Sequence, residues 1–198
     1  MLNHNILRKG KRRISSREMQ LLTVSCFPNQ TWSADFMSDA LVCGPRFRTF
    51  NAIDDFNREA LGIEIDLSLP ARRVVQTFDN IGIVRGHRLK LRLDNGPELV
   101  SLDLADWAEK HGVTGVTLEF IHLGKPTQNS YIERFSRTYR EEVLDFYIFK
   151  NLNEVPEITE QWMNQYNKER PHQSLKNMTP NEYSLCIKNT ENYTTPWY

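Results

Sequence analysis

Apolar and polar residues alternate along Thr31–Leu41, Val42-Cys43-Gly44-Pro45 supplies a turn, and Phe47–Ile53 resumes extended character. An alternating run, a Gly-Pro turn and a second extended run predict a β-hairpin. Leu61, Ile63, Ile65 and Leu67 alternate with other residues, so Ala60–Leu69 is expected to be a third strand with one buried face. The period then changes. Val74, Val75, Phe78 and Ile81 recur at helical spacing, predicting a helix over Ala71–Gly82 with Pro70 at its first position. Leu89–Leu93 reads as a short strand ending in a turn at Asp94-Asn95-Gly96-Pro97. Ser101 can cap a helix from Leu102 to His111, which Gly112 stops. A fifth strand follows over about Val116–His122. Gln128 to about Tyr147 predicts a long amphipathic helix with Ile132, Phe135, Tyr139 and Val143 as its apolar stripe, and a last helix spans about Leu152–Lys168.

This order of elements predicts an α/β domain built on a mixed five-stranded sheet flanked by helices. At 198 residues the chain is long enough for one well-buried domain with appendages. Its expected organisation is a basic arm over 1–27, a core over 28–183 and a polar, poorly ordered tail over 184–198.

Composition narrows the function classes. Twenty-five basic side chains balance 25 acidic ones, so global charge does not advertise a polyanion partner. The balance is local: Arg8, Lys9, Lys11, Arg12, Arg13 and Arg17 face a single acid, Glu18, within the first 20 residues. Such a run is either a solvated tail or a DNA-contacting arm. The three cysteines, Cys26, Cys43 and Cys186, are far apart and form no CxxC pair, and the histidines add no zinc-ligand spacing. No apolar run approaches membrane-spanning length and no signal-peptide core is seen, so the expectation is a soluble cytoplasmic protein with no membrane partner.

Three acids stand in distinctive settings: Asp35 in Trp32-Ser33-Ala34-Asp35-Phe36, Asp94 in Asp94-Asn95-Gly96-Pro97-Glu98, and Glu133 in Ser130-Tyr131-Ile132-Glu133-Arg134-Phe135. The first two fall in strand patterns and the third in a helical one. Carboxylates converging from separate elements can hold a pair of Mg²⁺ ions, the arrangement that cuts and rejoins phosphodiesters. Polynucleotidyl transfer is therefore the leading expectation. Asn129, Arg137 and Arg140 lie four before, four after and seven after Glu133, so they share its helical face. The competing view has both arginines pairing with Glu133 and Glu141 on a solvated surface. Asp54 and Asp55, at a strand end before Asn57-Arg58, are better read as organisers of a turn than as metal ligands. Trp32 is most simply core, and His122 an ordinary edge histidine.

Five phrases in order carry a further reading: Gln30-Thr31-Trp32-Ser33-Ala34-Asp35, Ile53-Asp54-Asp55-Phe56-Asn57-Arg58-Glu59, Asp94-Asn95-Gly96-Pro97-Glu98, Gly124-Lys125-Pro126 with Asn129 before Glu133, and Tyr166-Asn167-Lys168-Glu169-Arg170-Pro171-His172. Together they resemble the catalytic protein of bacterial insertion-sequence transposases, the integrase-core group related to retroviral integrases. The resemblance implies an RNase H-like fold and a metal-binding catalytic triad of Asp35, Asp94 and Glu133 using Mg²⁺ or Mn²⁺, with two ions expected. It implies DNA cleavage followed by strand transfer from the exposed 3′-OH. DNA contacts are expected from Asn129, Arg137, Arg140 and Lys125, and from Lys11, Arg12 and Arg13 of the arm. The implied partners are element ends and target DNA, further copies of the chain on that DNA, and a helper transposase subunit carrying a helix-turn-helix. The resulting location is the nucleoid.

The chain departs from that pattern in places. Asp94 and Glu133 are separated by 38 residues, three more than the family spacing, and Gly112-Val113-Thr114 is followed at once by Gly115-Val116-Thr117. Absorbed in a strand, three extra residues would invert its inside/outside alternation; absorbed in the preceding loop, they cost well under about 1 kcal/mol. The loop solution is expected, leaving Leu118 and Phe120 in register. Leu123 replaces a proline, Ser136 replaces an asparagine, and the upstream helix-turn-helix segments of relatives are expected to be missing. These departures keep a second expectation open, a truncated transposase remnant that binds DNA or a partner transposase without productive catalysis. A nuclease such as an RNase H shares the fold and metals, but leaves the five phrases unexplained.

Overall fold

The expected hairpin forms: β1 (Thr31–Ala40) runs antiparallel to β2 (Arg46–Asp54), with Ala40 opposite Arg46 and Trp32 opposite Asp54. At its tip Gly44 adopts φ +104°, a left-handed conformation that residues with a Cβ rarely take, and its N–H donates to the Leu41 carbonyl at 2.9 Å. The computed structural model describes residues 25–86, 90–93, 102–112, 117–120 and 130–193. Beyond the hairpin come β3 (Ala60–Asp66), α1 (Ala71–Arg85), β4 (Lys90–Leu93), α2 (Leu102–Gly112), β5 (Thr117–Phe120) and α3 (Ser130–Tyr139). A five-residue π-helical turn, Arg140–Leu144, extends α3; α4 (Glu154–Lys168) and α5 (Pro180–Tyr193) follow. The sheet has five strands in the order β3-β2-β1-β4-β5, with β4 parallel to both of its neighbours.

Alternation along β1 and β2 divides the core into two layers. Trp32, Ala34, Phe50 and Ala52 face Val74, Phe78 and Ile81 of α1 and Leu104 and Trp107 of α2. Each fully buried apolar side chain of this kind contributes roughly 1.5–3 kcal/mol. On the opposite face Met37, Phe47 and Ile53 meet Ile132, Phe135, Tyr139 and Val143, the stripe expected from the sequence, together with Val155, Trp162 and Tyr166 of α4. In β5, Leu118 pairs with Leu91 and Phe120 with Leu93, while residues 113–116 of the repeated Gly-Val-Thr lie outside the described residues.

Four expectations need correction. Pro70 is the residue before α1, with extended ψ of 159°, rather than its first helical residue. α1 also passes Gly82 and ends only at Gly86, whose φ of +83° lets its N–H turn back to the Gly82 carbonyl. β3 does not have a single buried face. A register shift between Ala52 and Ile53 sends Leu61 to the α1 layer while Ile63 and Ile65 pack on the α4 layer, and Leu67 is exposed. Asn167 of α4 clamps this irregular edge, accepting from the Ala60 N–H at 2.8 Å and donating to the Ala60 carbonyl at 2.9 Å.

The fourth correction concerns the polar C-terminal stretch, which is helical as far as Tyr193. A capping box starts it. Thr179 Oγ1 accepts from the Glu182 N–H at 3.2 Å while the Glu182 carboxylate accepts from the Thr179 N–H at 2.8 Å, and Pro180 takes the first helical position. Tyr183 packs its ring 5.5 Å from Phe56, and Asn57 donates to Ser184 at 2.5 Å, which ties α5 to the turn after β2. Among the described residues, no helix is long and apolar enough to cross a membrane.

Candidate active site

Asp35 sits mid-way along β1, half-buried, on the face turned toward α3 because Trp32, Ala34 and Phe36 occupy the opposite parity. Directly across β2 is Asn51, completely buried. A serine from α3 joins the two. Ser136 Oγ donates to Asp35 Oδ2 at 3.3 Å and accepts from Asn51 Nδ2 at 3.2 Å; the same amide nitrogen lies 3.0 Å from Met37 Sδ. A hydroxyl has one hydrogen, so accepting from Asn51 leaves that hydrogen for the carboxylate. The relay fixes the direction of Asp35 and docks α3 across β1.

Glu133 lies one turn before Ser136, exposed, within the first turn of α3. A carboxylate there is favoured by the helix macrodipole. Asp35 and Glu133 are both hard oxygen donors of the kind Mg²⁺ takes. The third expected acid, Asp94, lies outside the described residues, immediately after Leu93, which pairs with Ala34. Among the described residues alone no group of three potential metal ligands is found. Lys125, Asn129, Lys11, Arg12 and Arg13 also fall outside them, as does His122.

The two arginines of the helical face differ. Arg137 is exposed. Arg140 is half-buried, donating from Nη2 to the Ser38 carbonyl at 3.0 Å with Nη1 3.6 Å from the Asp145 carboxylate. Its partners are thus a β1 carbonyl and the residue closing the π-turn, where the Asp145 N–H reaches the Arg140 carbonyl at 2.8 Å. Pairing with Glu133 or Glu141 is not the arrangement found.

The turn after β2 is held by its acids, as read from the sequence. Asp54 accepts from the backbone N–H of Asn29 at 2.7 Å and of Phe56 at 2.9 Å. Burial nevertheless pushes its carboxyl up to about 6, those two bonds opposing the shift and Glu59 and Asp55 adding to it. Asp55 forms a buried ion pair with Arg92 of β4, Nη1 to Oδ2 2.5 Å. Arg92 stands two residues before Asp94 in the chain, so this pair anchors the strand that leads to the third acid.

Beside the site, Arg170 pairs with Glu142 at 2.5 Å, and Trp162 Nε1 donates to the same carboxylate at 2.8 Å. Burial works to raise Glu142, but these donors outweigh it and hold the carboxyl below its ordinary range. His172 packs edge-on against Tyr166 at 5.0 Å. Its pKa is pushed down to about 4, first by burial and then by the positive charge of Arg170, Arg58 and Arg134. The Arg170-Pro171-His172 phrase thus meets the π-turn after α3 through Glu142 and α4 through Tyr166. Sequence reasoning missed Asn51 and Arg58, and treated Ser136 only as a departure. The available signal was that Asn51 is a polar residue on the core-facing side of a strand.

An integrase core domain match covers residues 27–119 and a second one residues 114–180. The chain is 36% identical over 177 residues to the insertion element IS476 uncharacterized 39.2 kDa protein of Xanthomonas euvesicatoria, covering 89% of this chain and 50% of that protein. It is also 36% identical over 179 residues to the insertion element IS407 uncharacterized 31.7 kDa protein of Burkholderia multivorans, covering 90% and 64%. It thus spans between half and two thirds of the length of these relatives. Among solved structures, the HTLV-2 integrase catalytic core domain in complex with magnesium superposes with a TM-score of 0.57 at 14% identity, covering 78% of this chain and 95% of that one. That likeness shows the RNase H-like fold.

Proposed function

This chain belongs to the integrase core domain family found in insertion-element transposases, and on that premise we propose that it cleaves DNA and joins the resulting 3′ end to target DNA. Asp35, Asp94 and Glu133 are the proposed metal ligands and catalytic residues. Bound there, one or two Mg²⁺ or Mn²⁺ ions would supply activation of water and charge stabilisation on the attacking and departing oxygens. The chain's own part is positioning. Ser136 holds Asp35 Oδ2, Asn51 locks Ser136, and the docked α3 carries Glu133 one turn away.

Exposed Arg137 is suited to a DNA phosphate close to the acids, with Lys125 and Asn129 ahead of α3 and Lys11, Arg12 and Arg13 in the arm as further proposed contacts. Arg140 would share its bonds to Ser38 and Asp145 in reaching one. Joining two element ends calls for at least two copies of the chain on DNA, with a helix-turn-helix helper supplying end recognition at the nucleoid.

The observation that carries this reading is the Ser136–Asp35 contact, which brings the helix of Glu133 onto the strand of Asp35. Its test is cleavage and joining of a labelled DNA duplex by the whole chain with Mg²⁺ or Mn²⁺, beside Glu133→Gln and Asp35→Asn. Loss of both products in each variant, with folding retained, is the expected result. Cleavage that persists in Glu133→Gln removes the residue from the site. DNA binding without any cleavage by the unaltered chain would favour the remnant instead.

A further inference from the structure

A pocket on the far flank of α3 gathers positive charge that the metal chemistry does not use. Its volume is about 100 Å³, and Arg58, Arg134, Arg170, His172, Tyr131 and Thr138 are among the residues lining it. At roughly 30 Å³ per water, that is room for about three waters, and so for one small oxyanion.

Arg58 is built into this place at a conformational cost. Its backbone is left-handed at φ +63°, which a residue with a Cβ adopts only when its surroundings demand it. The demand comes from the turn: the Arg58 N–H donates to the Asp54 carbonyl at 2.9 Å, and Asn57 Oδ1 accepts from the Glu59 N–H at 3.1 Å. The guanidinium then lies over the Tyr131 ring, 3.3 Å from its centroid. Stacked in this way, it presents a fixed fork of donors. Yet Arg58 Nε and Nη1 are fully buried with no hydrogen-bond partner among the described residues, and His172 Nε2 is in the same condition. Buried polar atoms ordinarily find partners, and three unsatisfied donors converging on one pocket leave room there for an acceptor such as a water or an anion.

Charge points the same way. Arg170 is matched by Glu142, but among the described residues no carboxylate lies within ion-pair distance of Arg58 or Arg134. Two uncompensated guanidiniums, one of them stacked and pre-oriented, suit bidentate recognition of a phosphate. Arg134 directly follows Glu133, so the pocket opens from the same turn of α3 that carries the acid. From this geometry we infer that the pocket takes a phosphate group, and that its source is the backbone of the DNA strand bound for reaction. The choice of source rests on the function proposed above; a free phosphate ion offers the same chemistry.

The test is binding of a fluorescein-labelled DNA duplex to the whole chain in EDTA across a salt series, followed by anisotropy. Arg58→Gln and Arg134→Gln are compared with Arg72→Gln, an exposed arginine on α1 in the opposite layer. Each pocket variant should weaken binding and lower the slope of log K against log salt by about one, while Arg72→Gln leaves it unchanged. Pocket variants that keep the wild-type slope and affinity overturn the inference, as does a wild-type chain that binds no duplex. In a parallel arm, inorganic phosphate is added to a thermal melt. Stabilisation of the wild type by phosphate, with DNA binding indifferent to both substitutions, overturns the DNA source. Arg58→Gln could disturb the turn, so Arg134→Gln, exposed on α3, carries the test if it misfolds. With metal absent, failure here is separate from failure of the cleavage assay, which judges the acids.

Discussion

Replacing Asp55 by alanine should cost this domain more than any substitution at its surface ion pairs. Asp55 and Arg92 are 2% and 5% exposed and lie 2.5 Å apart, so removing the carboxylate takes a buried charge partner from a guanidinium that is itself shielded from water. Breaking a buried pair from one side costs about 3–5 kcal/mol, against a total stability of roughly 5–15 kcal/mol for a typical domain. The Arg73–Glu64 pair, at 42% and 30% exposure, is screened by water, and its loss should cost under about 1 kcal/mol. Urea unfolding followed by tryptophan fluorescence measures both, since Trp32, Trp107 and Trp162 are buried. With a slope of about 2 kcal/mol per molar, Asp55→Ala should lower the midpoint by about 2 M and Arg73→Ala by less than about 0.5 M. Asp55→Ala combined with Arg92→Met should recover part of the loss, because the second change removes the buried guanidinium that Asp55 balances. An Asp55→Ala cost below about 1 kcal/mol, or a double variant no better than the sum of the singles, would refute the reasoning.

Two further outcomes follow from groups around Asp35. Burial places Asp54 at about 6 in the folded chain against the ordinary 3.8, so folding favours its protonated form. The stability it confers is complete well below pH 3.8 and lost as pH rises through 6, so the advantage of the wild type over Asp54→Asn should shrink by about 2 kcal/mol between pH 4 and 7. Urea unfolding at both pH values checks this, and a constant difference would contradict it. Ser136→Ala removes the hydroxyl donor from Asp35 Oδ2 and takes an acceptor from the buried Asn51 amide, costing about 1–2 kcal/mol of stability. If Ser136 positions the acid, the metal-dependent cleavage rate falls about tenfold while DNA affinity holds; equal losses in rate and affinity would reduce it to a packing residue.

The contrast between the two arginines after Glu133 shows where sequence reading stops. Spacing alone puts Arg137 and Arg140 on the acid's face, and the helix confirms the stripe beneath them through buried Ile132, Phe135 and Tyr139. It could not say that Arg140 is half-buried and bonded to Ser38, because that contact spans 102 residues and depends on how α3 crosses β1. Polar composition suggested a loose tail after Tyr183, whereas the local Thr179–Glu182 capping box made it a helix. That signal was present in the sequence and went unread.

The sequence by itself determined the order of the five strands and of the helices as far as α4, and the five phrases that identify the family, since alternation, helical spacing and turn chemistry are local properties. Only the tertiary structure decided which polar residues meet. Asn51, Ser136 and Asp35 are far apart in the chain, and so are Arg58, Arg134 and His172. Their association follows from packing α3 between the hairpin and α4, a choice driven by burial of apolar faces, which carries the polar groups to whichever partners the packing leaves beside them.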